Sequence, residues 1–118
     1  MSPTDLRSVF ESFSETWSPR TVATMNDYDV RVVKMKGEFT RHRHPETDEL
    51  FLVLNGAIRI LMDDRDVELG PGQLFVVPRG ASHQPVSLDG ADVLLIEPSE
   101  TVNTGDTPSE LTADRIVV

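Results

Sequence analysis

The chain contains three histidines, and all of them fall in two short segments: His42 and His44 in H-R-H-P-E-T-D-E, and His83 in P-R-G-A-S-H. With Glu49 they offer three imidazoles and one carboxylate. This mixed nitrogen and oxygen set suits a divalent transition metal (iron, manganese, nickel, cobalt or zinc) and not calcium or magnesium. Residues two apart on a strand share a face and lie roughly 6.5 to 7 Å apart, so the rings of His42 and His44 can lean onto one ion at about 2.1 Å per bond. Arg41 and Arg43 then point the other way. Pro45 cannot donate to a sheet ladder and favours a turn, so P-E-T-D closes the strand and returns Glu49 towards the histidines. His83 must arrive from a distant strand. The expectation is one divalent transition-metal ion per chain, held by His42, His44, Glu49 and His83. The bland alternative, since a lone strand histidine is usually core or surface, is a fold that carries no ion.

These segments resemble the motifs of the cupin superfamily. Gly37, His42, His44, Glu49 and Gly56 fill the first motif, with four residues between Gly37 and His42 where the pattern usually has five. Gly72, Pro78, Gly80 and His83 fill the second, and Ser87 stands where an asparagine is expected. Neither departure falls on a ligand position. The resemblance implies an all-β fold, the double-stranded β-helix or jelly-roll barrel. It also implies a metal site at these four residues. Small single-domain members include isomerases, lyases, decarboxylases and dioxygenases, so the resemblance points to an enzyme acting on a small oxygen-rich molecule. Small members are often dimers, which implies a homodimer.

The elements that must position the ligands follow from periodicity. Leu6, Val9, Phe10 and Phe13 sit at helical spacing, which predicts one short N-terminal helix over 4–13, with Thr4 or Asp5 as cap. From Tyr28 onward the reading is short strands: 28–36, 38–44, 49–54, 57–62, 66–69, 73–77, 82–87 and 91–97, divided by Gly, Pro, Asn and Asp. Many short strands mean a sandwich or barrel. The division is a helix and linker over 1–20, a barrel over 21–100 and a tail over 101–118, one domain in all. Asn55-Gly56 is the strongest hairpin signal, a type I′ turn with Leu54 opposite Ala57. This register gives Phe51, Val53, Ile58, Ile60 and Met62 the same face as Glu49, an apolar wall beside the ligands. The opposite face carries Leu50, Leu52, Leu54 and Leu61, too apolar for water, so the helix or a second subunit should cover it.

Around the ion, Phe51, Met62, Phe75, Arg79 and Gln84 are the candidate pocket residues. Phe51 and Phe75 read as core first and pocket wall second. Arg79 could orient an anionic substrate, against the bland reading of a solvated surface residue. Pro78 and Gly80 shape the turn that delivers His83. The closing T-V-N-T-G-D-T-P covers the barrel mouth, crosses to a partner or is a plain surface loop. No second acid or base is identifiable besides Glu49, and the catalytic residues stay unassigned. A binding or sensing module, or a barrel with a structural ion, are therefore the readings that compete with an enzyme.

Composition narrows the partners. With 11 basic and 20 acidic residues the formal charge is −9, which opposes binding to a phosphate backbone, and no stretch is left to supply a helix-turn-helix. No nucleic acid partner is expected. There is no cysteine, hence neither a disulfide framework nor a thiolate ligand. The opening M-S-P-T-D-L-R lacks a basic and apolar leader, and no run reaches the roughly 18 apolar residues of a membrane span, so the expected setting is cytoplasmic, without a membrane partner.

Overall fold

The helix forms where the apolar spacing places it, but it is short. The computed structural model describes residues 2–118, and α1 spans Leu6–Glu11. The Asp5 side chain accepts a hydrogen bond from the Arg7 N–H, satisfying one of the orphan donors of the first turn. Phe10 is its buried residue, and α1 packs on the second strand. Among the described residues no helix is long and apolar enough to cross a membrane.

The rest is strand. In chain order these are β1 (Arg20–Met25), β2 (Tyr28–Glu38), β3 (Glu49–Gly56), β4 (Ile58–Met62), β5 (Asp66–Leu69), β6 (Leu74–Val77), β7 (His83–Pro98) and β8 (Ile116–Val117). β7 is the spine. Its second half pairs with β2 on one edge and β3 on the other, and β6 extends the sheet beyond β3. Its first half pairs with β4, which carries β5 outward, and with the end of β2. The two strands expected at 82–87 and 91–97 are thus one long strand with an irregularity: Met35 faces Ala91 while Gly37 already faces Ser87. Such a bulge bends a strand and lets it serve two sheets of a jelly roll. The sheet does not close on itself; its order runs β5-β4-β7-β2-β1-β8 with β3 and β6 off that path.

Three expectations change. Asn55-Gly56 does not make a hairpin, because β3 and β4 do not pair with each other. Gly56 has φ 79° whereas Asn55 is not in the left-handed region. A Cβ on Gly56 would stand 2.3 Å from the Gly90 carbonyl oxygen, so this glycine lets the chain cross close over the bend of β7. Burial parity is kept without the hairpin: Glu49, Phe51, Val53, Ile58 and Ile60 are buried, while Met62, expected on the same face, is only partly so. Second, residues 38–44 form no strand beyond Glu38 and an isolated bridge between His42 and His83. The carbonyls of Arg43 and His44 are taken instead by the N–H groups of Asp106 and Gly80. Third, β1 and β8 fall in segments not read as strand. In β1 the buried residues are Arg20 and Thr21, polar groups satisfied by Ser18 and Asp29 rather than an apolar stripe.

The core lies between the two sheets and is built from Val33, Met35, Phe39, Phe51, Val53, Ile60, Val77, Val93 and Leu95, closed at one end by Trp17. The outward face of β3 and β6 is different. Leu74 is 58 % exposed, Val76 42 % and Leu54 36 %, with Leu50 and Leu52 half-buried. α1 packs on β2 and leaves this face uncovered.

Candidate metal centre

His42 and His83 are fixed by the bridge between them, in which each backbone N–H donates to the other's carbonyl at 3.0 and 2.8 Å. The turn that delivers His83 is tied down at its two central residues. Gly80, at φ 78°, donates to the His44 carbonyl at 2.8 Å, and the Arg79 N–H donates to Asp48 Oδ1 at 2.8 Å. Glu49 opens β3 opposite Val77. All four side chains are buried, and one potential ligand atom from each lies within 4.8 Å of the others. An octahedral ion with bonds of about 2.1 Å has ligand atoms roughly 3 to 4.2 Å apart, so the spacing fits one ion.

The nitrogens are also oriented for it. His42 Nδ1 lies 2.7 Å from the Thr40 carbonyl and His83 Nδ1 2.9 Å from the Ala81 carbonyl. A carbonyl can only accept, so Nδ1 carries the proton and Nε2 presents its lone pair, the usual outer support of a metal-ligating imidazole. Nε2 of His42 and of His44 is buried without a hydrogen-bond partner. Glu49 Oε1 sits 3.3 Å from His83 Nε2 and 3.4 Å from His44 Nε2. Two unanswered buried nitrogens beside a carboxylate are costly in a bare protein and are the lone pairs an ion would take. These four residues can therefore hold a metal.

Electrostatics prepares the same state. Burial lowers His42 to about 4, with the neighbouring His83 acting the same way, so its imidazole is neutral and ready to ligate near neutral pH. Burial pushes Glu49 upward, but contacts from His44, His83 and Glu97 outweigh it and hold the carboxyl well below its usual range. Glu97 is the counterpart: burial first, then the Glu49 charge, raise it well above the usual range, against the pull of Arg31.

The cavity beside the cluster is small and mostly apolar. It measures about 20 Å³, and Trp17, Val33, Met35, Phe39, Phe51 and Leu95 form its walls, with His42, Glu49, Glu97 and Asn103 as polar members. That is room for about one water. A larger open concavity of about 840 Å³ runs along Gly56–Leu61 and Val86–Gly90 and includes none of the four ligands.

Of the candidate pocket residues, Phe51 lines the cavity and meets the His83 ring edge-on at 6.1 Å. Met62 and Phe75 pack partly buried against the core and do not line it. Arg79 turns away to an exposed ion pair with Asp48, because the Pro78–Ala81 turn docks its backbone on that aspartate. Gln84 spends its amide N–H on the Phe39 carbonyl. Glu97, which carried no sequence signal, and Asn103, from the T-V-N-T-G-D-T-P segment, also belong to the cavity. The tail does cover this end: Asn103 lines the cavity, and Asp106 grips Arg43 through its backbone N–H and both carboxylate oxygens.

The family described as Cupin domain matches residues 30–99, more than half of the chain. The chain belongs to the cupin family. This cupin is 30 % identical over 81 residues to the uncharacterized protein YdbB of Bacillus subtilis strain 168, covering 68 % of this chain and 72 % of that one. Its fold superposes on a cupin-2 domain containing protein from Shewanella frigidimarina with a TM-score of 0.79 and 38 % identity, covering 80 % of the cupin and 93 % of that chain. A second solved structure, protein NMB1881 from Neisseria meningitidis, matches with a TM-score of 0.75 and 25 % identity over 83 % of this chain and 100 % of that one. The matched span contains all four candidate ligands.

Proposed function

We propose that this cupin binds one divalent transition-metal ion per chain through His42, His44, Glu49 and His83 and uses it as an enzyme on a small oxygen-rich molecule, in an isomerase, lyase or dioxygenase type of reaction. The observation that carries the reading is the pair of buried, unpartnered Nε2 atoms on His42 and His44 beside Glu49. An ion there would act as a Lewis acid on a carbonyl or hydroxyl oxygen or, if it is iron, would supply dioxygen chemistry. The chain's own part is to hold the imidazoles in one tautomer, keep bulk water out with Trp17, Phe39 and Phe51, and leave a side of the site free of further protein ligands. The substrate class rests on the family resemblance and on the affinity of such an ion for oxygen donors.

Purified protein should contain about one transition-metal ion per chain by elemental analysis, and His42→Ala, His44→Ala and His83→Ala should each lower occupancy strongly. Full occupancy in the His42→Ala/His44→Ala double variant would remove the site. Loading with Fe(II), Mn(II), Ni(II) or Zn(II), with and without oxygen, then separates the reactions: oxygen uptake with iron alone marks a dioxygenase, and oxygen-independent turnover with several metals an isomerase or lyase.

A second reading is favoured by the size of the cavity. A space of about 20 Å³ beside the cluster admits a water and not a substrate, which suits an ion that stabilises the barrel. A large drop in melting temperature on metal removal, with no small molecule perturbing the loaded site, would establish that role instead.

A further inference from the structure

His42 and His44 lie between β2 and β3, where among the described residues the one bridge is that of His42 to His83. Arg43, which stands between the two ligands, therefore has no partner strand for its backbone groups, and such groups need partners. One residue of the tail takes both. The Arg43 N–H donates to Asp106 Oδ1 at 3.1 Å, and the Arg43 carbonyl accepts from the Asp106 N–H at 3.1 Å. The first of these groups belongs to the peptide plane shared with His42, the second to the plane shared with His44. Holding both planes fixes the two soft dihedrals of Arg43, which set how one imidazole is directed relative to the other. Their ring centroids lie 4.9 Å apart.

Asp106 is itself well seated. Thr104 is wholly buried, its hydroxyl is 2.7 Å from that of Thr112, and its carbonyl accepts from the Thr107 N–H at 3.0 Å. Gly105 lies against the Cδ2 edge of the His42 ring. A second tie joins the same two segments: the hydroxyls of Ser109 and Thr40 are 2.9 Å apart, and the Thr40 carbonyl is the one that holds His42 Nδ1. The Arg43 guanidinium adds a contact from Nε to Asp106 Oδ2 at 3.1 Å, but both side chains meet water and such a pair contributes little. The backbone contact leads: the Arg43 N–H is first among the groups that hold the Asp106 carboxyl below its usual range.

We propose that Asp106 is a positioning residue of the metal centre, which sets the relative direction of His42 and His44 through the backbone of Arg43. It touches neither the ion nor any reacting atom. It also stands outside both sequence motifs, which end at Ser87, so the ligand pattern gives it no role. The proposal rests on the metal-centre reading above.

The test reads the visible d–d bands of bound Co(II) and the release of that ion to EDTA. Asp106→Ala should keep the far-ultraviolet spectrum and the metal-free melting temperature of wild type. It should nevertheless release Co(II) about tenfold faster, the low end for groups that orient metal ligands, and its saturated bands should differ from wild type in position or intensity. Asp106→Asn keeps an oxygen for the Arg43 N–H while losing the charge, and the exposed Arg43 side chain can turn away from the amide. This variant should bring bands and release back close to wild type. Wild-type bands and release in Asp106→Ala overturn the proposal. So does an Asp106→Asn protein as impaired as Asp106→Ala, which would make the ion pair the active contact. Faster release from Asp106→Ala with unchanged bands and a lowered melting temperature overturns it too, because a merely structural loss does that. If Asp106→Ala does not fold, Asp106→Glu takes its place with the same expected changes, since it keeps the charge but carries the oxygens one methylene past the Arg43 N–H. Wild-type protein that takes up no Co(II) overturns the metal centre itself, a failure distinct from the others.

Discussion

Asp29 shows how much of this site depends on residues that never meet an ion. Its carboxylate is fully buried and accepts from Arg115, Arg31, Ser99 and Thr21. The Arg115 contact chiefly, supported by Ser99, Thr21 and Arg31 and opposed by burial, holds it well below the usual carboxylate range. The folded value lies below the unfolded one. The stabilisation is therefore complete above about pH 4 and disappears as acid carries the pH down through the folded value. Metal-free protein should lose stability steeply below about pH 4 in acid-denaturation curves, and Asp29→Asn should flatten that limb. At neutral pH the same variant leaves Arg31 and Arg115 without the buried Asp29 charge, at a cost of about 3 to 5 kcal/mol by urea titration. The ligands themselves were legible in the chain because a metal's demand for donor type and spacing is written in residue identity. Glu97 was not: the glutamate that opens E-P-S-E reads as a strand end facing water, and its partner Arg31 is 66 positions away.

At the level of elements, legibility tracks how local the deciding force is. The burial parity of β3 and β4 follows from alternation alone and came out as read. The Asn55-Gly56 connection did not, because its path is decided by two strands joining different stretches of β7, a tertiary choice that overrides turn chemistry. The tail is the clearest case. Thr104 is wholly buried, Leu111 packs on the core, and Gly105 at φ 55° passes so close to the ligand loop that a Cβ would stand 2.2 Å from the Arg43 oxygen and 3.0 Å from His42 Cδ2. Exposed pairs such as Arg43–Asp106 contribute little, so close backbone fit is what seats this segment. Gly105→Ala should lift it: proteolysis within 101–113 should quicken and the loaded ion should exchange faster with a chelator, while the far-ultraviolet spectrum of the barrel stays as in wild type. Unchanged exchange would mean that the segment does not guard the ion.

For the molecule as a whole, the uncovered face of β3 and β6 is the feature to be answered. Leu50, Leu52, Leu54, Leu74 and Val76 form a contiguous apolar surface on two paired strands. We expect two copies to meet there. Scattering should give a mass near twice 13.1 kDa, and Leu52→Asp should yield a folded monomer; a wild-type monomer at all concentrations would reject the pairing. A different consequence follows from the reach of Arg115, which closes on Asp29 across 86 positions of chain. Contacts so distant in sequence make folding slow, and they fix its order during synthesis. The barrel strands can pair as they emerge, but the charge that settles Asp29, and through Arg31 the back wall of the cavity, is made after them. Any extension or cut placed just beyond Arg115 will therefore act on the site's maturation before it acts on the fold.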